Sequence, residues 1–453
     1  MSRIDPLRFI RNKFLKDAAT LQVSGLLNQL SQTVSSVVIA YLLGAHGQGL
    51  FAVAVMLQAL FYNLVNVGVV QATVSQVAAA SARELNEKVA AWLAFLVKTY
   101  LVFSAVLIGT GWFVLPRLSV WWYAEELGPA QAHDLGLWAW WLTFWILIDT
   151  PRAVAQVAFQ GTRRMLALGQ LDNGHELIRM FLVICGAAIT GSAAGAVIGE
   201  VLSRAIATYM ACVMYHSARA DGGPALPSMV EIFRRVPEIP LLRGLRLGLR
   251  VGVIKNTTTL VVTVLPRLLL GGTAGFAWVA YFHIAQRIMG FPLMMMQGVS
   301  RTILPALSEK RGLHDLAGFK RLYARTTWIA GGSISVCVVL GLLMVKPVVA
   351  LVFPPDYGWP VLECCIILSL GVIPSSFAVA QDPFYILTDR MKQNLIICLI
   401  GALVTIPANA ALVRIDPQTG PVWGQTLYLA WVLVHFVYIA HYFRREAHTA
   451  QWS

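Results

Sequence analysis

The stretch LRVGVIKNTTTLVVTVLPRLLLGG, residues 249–272, is mostly Val, Leu, Ile and Thr, yet it holds Arg250, Lys255 and Arg267 and no acid. The next apolar stretch adds Arg287 and Arg301. A cation near the centre of a membrane helix costs roughly 2.5–3.5 kcal/mol on insertion scales. Several such residues without an acid beside them point to anion binding. The planar arginine fork suits phosphate oxygens, and lysine supplies a point charge. At 1.5 Å rise per residue, Lys255 and Arg287 each lie about 16 Å into their helices, near the middle of a hydrocarbon core about 30 Å thick. Arg250 and Arg301 fall near one face and Arg267 near the other, and the two near the first face are also placed to snorkel to headgroups. Asn28, Asn63, Asn66, Asn256 and Gln58 are neutral groups suited to a polar cavity. Pro266 is expected to bend its helix and free backbone groups inside such a cavity.

The first half of the chain distributes charge differently. Lys98, Arg152, Arg179 and Arg204 stand against Asp149, Asp172, Glu176 and Glu200. Asp149/Arg152 and Glu176/Arg179 are three residues apart and Glu200/Arg204 four, so each pair shares a helix face and is expected to form an ion pair. Lys98 has no acid on its own helix and is expected to find one on a neighbour. Asp149, at mid-depth, is the candidate for coupling to an ion or proton.

The elements that hold these residues follow from composition. The 453 residues are 57% hydrophobic and 13% charged, with a mean hydropathy of +0.67. So few charges cannot cover a soluble protein of this size, and the class is a polytopic membrane protein. The basic start leads into an apolar segment without a small-residue cleavage site, so no cleavable signal is expected. The six cysteines lie in apolar segments without metal-ligand spacing, and neither a metal, another cofactor nor a disulfide framework is expected.

About twenty apolar residues cross the core. That rule predicts an all-α fold with twelve transmembrane helices at roughly 17–43, 50–79, 89–115, 135–160, 169–190, 194–215, 244–270, 275–306, 326–345, 359–387, 393–413 and 421–443. The segments on the side of the N-terminus, with Arg246 at the edge of the seventh span counted among them, carry 23 Lys/Arg and the opposite loops three. This bias predicts cytoplasmic N- and C-termini. It also makes the net charge of +13 a signal of topology and not of nucleic-acid binding. Trp112, Trp121, Trp122, Trp138, Trp278, Trp359 and Trp423 fall near the outer interface as an aromatic belt. The pairs at 121–122 and 138–141 are alternatively platforms for sugar rings.

The halves echo each other. LLGAHGQGLFAVA at 42–54 resembles LLGGTAGFAWVA at 269–280, and an offset of 226 matches Gly49 with Gly275, Gln71 with Gln297 and TRRM at 162–165 with TDRM at 388–391. The expected domains are a six-helix bundle at 1–216, a cytoplasmic linker with an interfacial helix (MVEIFRRV) at 217–243, and a second bundle at 244–453. Glycines 191, 195 and 199, and 244, 248 and 252, have the spacing of close helix packing.

The opening pair of helices, YLLGAHGQGLFAVAVMLQALFYNLVNVGVVQATVSQVA, resembles that of the Wzx-type polysaccharide and O-antigen flippases of the multidrug/oligosaccharidyl-lipid/polysaccharide exporter superfamily. The shared feature is a short Gly-containing hairpin followed by Phe and an apolar helix with asparagines. The resemblance implies a pair of six-helix bundles related by a pseudo-two-fold axis, opening inward or outward. It implies transport of a polyprenyl-diphosphate-linked oligosaccharide to the periplasmic leaflet of the bacterial inner membrane. A polysaccharide polymerase and a chain-length regulator are the protein partners it suggests. On that reading Lys255, Arg287, Arg267, Arg250 and Arg301 face the diphosphate. No phosphate-binding GxxxxGK[ST] loop occurs, so a built-in ATPase is not expected. A cation-coupled multidrug exporter of the same fold is the alternative, although such a carrier would favour an acidic or neutral cavity. A membrane-embedded glycan-processing enzyme is the remaining rival. The outward segment 116–134, read as the longest outer loop, holds Glu125, Glu126, His133 and Asp134 without recognisable catalytic spacing.

Overall fold

The computed structural model describes residues 6–65, 68–81, 83–220, 226–241, 252–254 and 256–446. Helix follows helix, with no strand among the described residues. Among the described residues, eight helical stretches are long and apolar enough to cross a membrane. One of them, Val23–Asn63, is two rods merged across a bend at Gly44, whose φ is 66°. The rods Pro129–Ile148 with Thr150–Gly161, Met165–Thr190 and Phe276–Gly312 complete twelve. These three rods carry intramembrane charges such as Arg152, Glu176 and Arg287. The chain is an all-α, multi-pass membrane protein.

Its residues cluster into two compact units, Met1–Asn256 and Thr257–Ser453. In the first, Met165–Thr190 packs closely on Ala193–Ala220. A Cβ on Gly186 would lie 2.1 Å from the Gly195 carbonyl oxygen, and one on Gly199 would lie 2.2 Å from that of Leu182. Gly195 and Gly199 therefore bring two backbones together, as their spacing predicted. Gly191 does not share that role: it is the left-handed cap that ends its helix. Gly244 and Gly248 lie outside the described residues.

The outer segment 116–134 is not a loop. The Asn86–Leu127 helix runs through Pro116 to Gly128, and the Pro129–Ile148 helix begins at once. Gly136 permits this tight hairpin, since a Cβ there would stand 2.4 Å from the Pro116 Cα. Within the aromatic run, Trp140 is committed to packing, whereas Trp141 is 54% exposed. Trp140 meets Trp112 edge-on at 4.7 Å and donates Nε1–H to the Ile108 carbonyl at 2.9 Å. Trp121, by contrast, is 74% exposed, as an interfacial residue would be.

Four inter-helix turns repeat one device. Glu84, Arg163, His314 and Asp389 have φ of 57°, 58°, 53° and 55°. After each, the next N–H bonds the carbonyl five residues back: Leu85 to Ala80, Arg164 to Phe159, Asp315 to Lys310 and Arg390 to Tyr385. This is the Schellman helix end, a position usually given to glycine. Arg163 and Asp389 are 226 residues apart, so the TRRM and TDRM motifs take the same backbone form. Gly49 and Gly275 do not. Gly49 lies inside a helix, whereas Gly275 breaks one with φ 95°. Gly44 makes the corresponding break in the first unit.

The linker helix is docked within its unit. Ser228 accepts the Glu231 N–H at 3.1 Å as N-cap of Met229–Arg235, and Ile232 is fully buried. Lys98 reaches this segment and not an acid. Its ammonium donates to the carbonyls of Pro237 and Ile239 at 2.9 and 2.8 Å. The expectation of a carboxylate partner is thus corrected: backbone oxygens, left without helical partners at the end of a short helix, satisfy the charge.

Candidate anion-binding site

In the second unit, Leu260–Val264 forms a π-turn immediately before the helix Leu265–Thr273, with Pro266 in its first turn. In an α-helix the N–H of residue 266 would bond the carbonyl of Val262, and proline has none. The Gln286 amide fills that gap, its Nε2 donating to the Val262 oxygen at 3.1 Å and to Gln425 Oε1 at 2.8 Å. The same side chain's Oε1 accepts Arg267 Nη2 at 2.6 Å and Nε at 3.1 Å. Pro266 therefore does free a backbone group, and a glutamine uses it to position an arginine. π-turns of this kind recur at functional sites.

The arrangement engages one edge of the Arg267 fork. Among the described residues, the remaining Nη1 has no hydrogen-bond partner and no carboxylate pairs with this arginine. Arg287, the residue after Gln286, adds like charge that repels Arg267. A neutral amide orients Arg267 but leaves its charge in place.

Arginines of the first unit are held otherwise. Arg152 grips Asp149 with two bonds of 2.6 and 2.7 Å. Arg179 bridges Glu176 at 2.8 Å and Glu200 at 2.7 Å, and Arg204 joins Glu200 at 2.9 Å. The three intrahelical pairs read from spacing are all present. Spacing did not reveal the interhelical Arg179–Glu200 link, nor the Arg204 guanidinium stacked 3.9 Å over Trp145. Trp145 in turn stacks on Tyr62 at 5.4 Å. Asp149, the ion-coupling candidate, spends both oxygens on Arg152. Asp172 has no ion pair among the described residues and takes a hydrogen bond of 3.2 Å from Gln156.

The other residues expected at a site are placed as follows. Lys255, Arg250 and Asn66 lie outside the described residues, and Arg301 belongs to the Phe276–Gly312 helix with its side chain likewise outside. Asn256 donates its amide to the Asn63 carbonyl, bringing those two together. Asn28 is half-buried, with its side-chain oxygen shielded and lacking a hydrogen-bond partner among the described residues. Gln58 is wholly buried, and neither end of its amide is hydrogen-bonded among them. Gln286 and Gln425 were not singled out from sequence. The available signal was the position of Val262, four residues before a proline inside an apolar helix.

No family model and no curated protein matches this sequence. Solved structures do match its fold. An inward-facing multidrug resistance MATE family transporter of the MOP superfamily aligns with TM-score 0.73 at 15% identity, over 94% of this chain and 96% of that one. The chain has the fold of MOP superfamily transporters. The lipid II flippase MurJ, in an inward closed conformation, aligns with TM-score 0.69 at 12% identity, over 92% of this chain and 87% of the other. A MOP superfamily transporter from Pyrococcus furiosus, described as having a binding pocket of reversed polarity that suggests a different function, aligns with TM-score 0.64 at 15% identity over 95% of each.

Proposed function

We propose that this protein moves a polyprenyl-diphosphate-linked oligosaccharide from the cytoplasmic to the periplasmic leaflet of a bacterial inner membrane by alternating access, with both termini in the cytoplasm. The observation that carries this reading is Arg267, oriented by the neutral Gln286 beside a second arginine. An arginine kept charged in an apolar helix requires an anion from elsewhere, and a diphosphate presents oxygens that match its free edge. Lys255, Arg250 and Arg301 add basic character to the same two stretches of sequence. Outward movement of an anion gains about 2.3 kcal/mol per charge per 100 mV when the inside is negative. A fold neighbour named as a lipid II flippase makes lipid-linked transport a chemistry compatible with the architecture.

The test is reconstitution of the full chain in vesicles with a fluorescent polyprenyl-diphosphate disaccharide, followed by quenching from outside. Protein-dependent exposure of the label, lost in Arg267→Ala and Arg287→Ala, is the expected result. Transport of cationic dyes without movement of the glycolipid would instead assign the protein to drug export.

A further inference from the structure

A groove of about 670 Å³ lies within the second unit, between the helices Leu316–Val352, Gly358–Ser376 and Val432–Glu446. That volume is within the roughly 300–1,000 Å³ of ligand pockets. Its construction is specific. The Gly358–Ser376 helix contains Pro374 and gives way to a 3-10 turn at Phe377–Ala380. Phe377 swings against Trp328, edge to face at 5.4 Å. It packs there because residue 331 is glycine: a Cβ would lie 2.6 Å from the Phe377 ring. Ser376 and Ser335 lock the break with a hydroxyl–hydroxyl contact of 2.8 Å.

The groove is polarised. Lys320 and Arg444 line one end, and Trp328, Phe377 and Leu433 line the rest. Both cations are exposed, and neither forms an ion pair among the described residues. Arg390 stacks over Tyr442 at 5.2 Å, beside the groove-lining Phe443, adding to the basic character of that end. From Lys320 to Trp328 is about 12 Å of helix, and from Leu433 to Arg444 about 16 Å. Half of a hydrocarbon core about 30 Å thick is about 15 Å. The groove is thus one leaflet deep, apolar along its length and cationic where a headgroup would sit.

We propose that this groove is a binding site for one anionic phospholipid, with an acyl chain against Phe377 and Leu433 and its phosphate between Lys320 and Arg444. The site does not depend on what the protein carries. Its depth matches a chain confined to one leaflet, which separates it from the longer tail of a polyprenyl carrier.

Native mass spectrometry of the full chain in detergent tests this, with phosphatidylglycerol, phosphatidylcholine of the same acyl chains, and polyprenyl phosphate as probes. One phosphatidylglycerol should survive activation that strips phosphatidylcholine. Lys320→Gln with Arg444→Gln should weaken its retention about thirtyfold, the loss of two basic residues beside an anionic lipid. Ala324→Trp, which fills the groove, should weaken retention of the same lipid. The charge variant alters only exposed side chains, so its melting temperature should remain that of the parent. Equal retention of the two phospholipids, retention unaffected by either variant, or displacement by polyprenyl phosphate at lower concentration would each overturn the assignment.

Discussion

Arg267 donates Nη2 to Gln286 Oε1 at 2.6 Å, so an arginine is held by an uncharged amide where Arg152, Arg179 and Arg204 are each held by a carboxylate. The difference is one of net charge, not hydrogen-bond supply. A carboxylate orients and neutralises; an amide only orients.

This contrast makes Gln286→Glu the most informative substitution. The change is nearly isosteric and gives Arg267 a counter-ion in place. Glycolipid transport in reconstituted vesicles should fall by about tenfold or more, because a carboxylate competes with an anionic substrate for the same guanidinium. Glutamate cannot donate to the Val262 carbonyl and Gln425 as the amide does, so the melting temperature should also fall somewhat, and transport is scored per folded molecule. Undiminished transport would show that the Arg267 charge plays no part.

Arg204→Ala should act through stability. It strands Glu200, which is 2% exposed, with one cation in place of two, and removes the stack on Trp145. Breaking a buried pair typically costs about 3–5 kcal/mol. Thermal denaturation of purified protein should show a clear fall, and transport per folded molecule should be little changed.

Lys98→Met keeps the apolar stem and deletes the ammonium that binds Pro237 and Ile239. Hydrogen exchange in 229–239 should rise by at least about tenfold, since two charge-assisted hydrogen bonds are lost, while the Asn86–Leu127 helix stays protected. Unchanged exchange would mean that Ile232 and the Arg235–Glu87 contacts dock the segment without Lys98.

Topology has a direct reporter. Gly128 joins two helices at the turn between the third and fourth spans. A periplasm-active reporter inserted there should be active and one fused after Ser453 silent, as the 23-to-3 distribution of Lys/Arg requires. The opposite result at either position would reject cytoplasmic termini.

The sequence by itself determined the class, the twelve spans and the three intrahelical ion pairs. Each depends on local facts: enough apolar residues in a row, or an acid and a base three or four positions apart. It also announced the break at Pro266, since a missing N–H is visible in the residue name. Arg163 and Asp389 show the limit of such matching: their shared offset marks one turn, whereas Gly49 and Gly275, at the same offset, occupy different backbones. Which group would answer the freed Val262 carbonyl was decided only by tertiary packing, because Gln286 reaches it from 24 residues away while paired with Gln425, a further 139 residues on, along helices whose rotation no spacing encodes. Lys98 makes the same point, since backbone carbonyls carry no sequence signature and only the docked Met229–Arg235 segment brought them within reach.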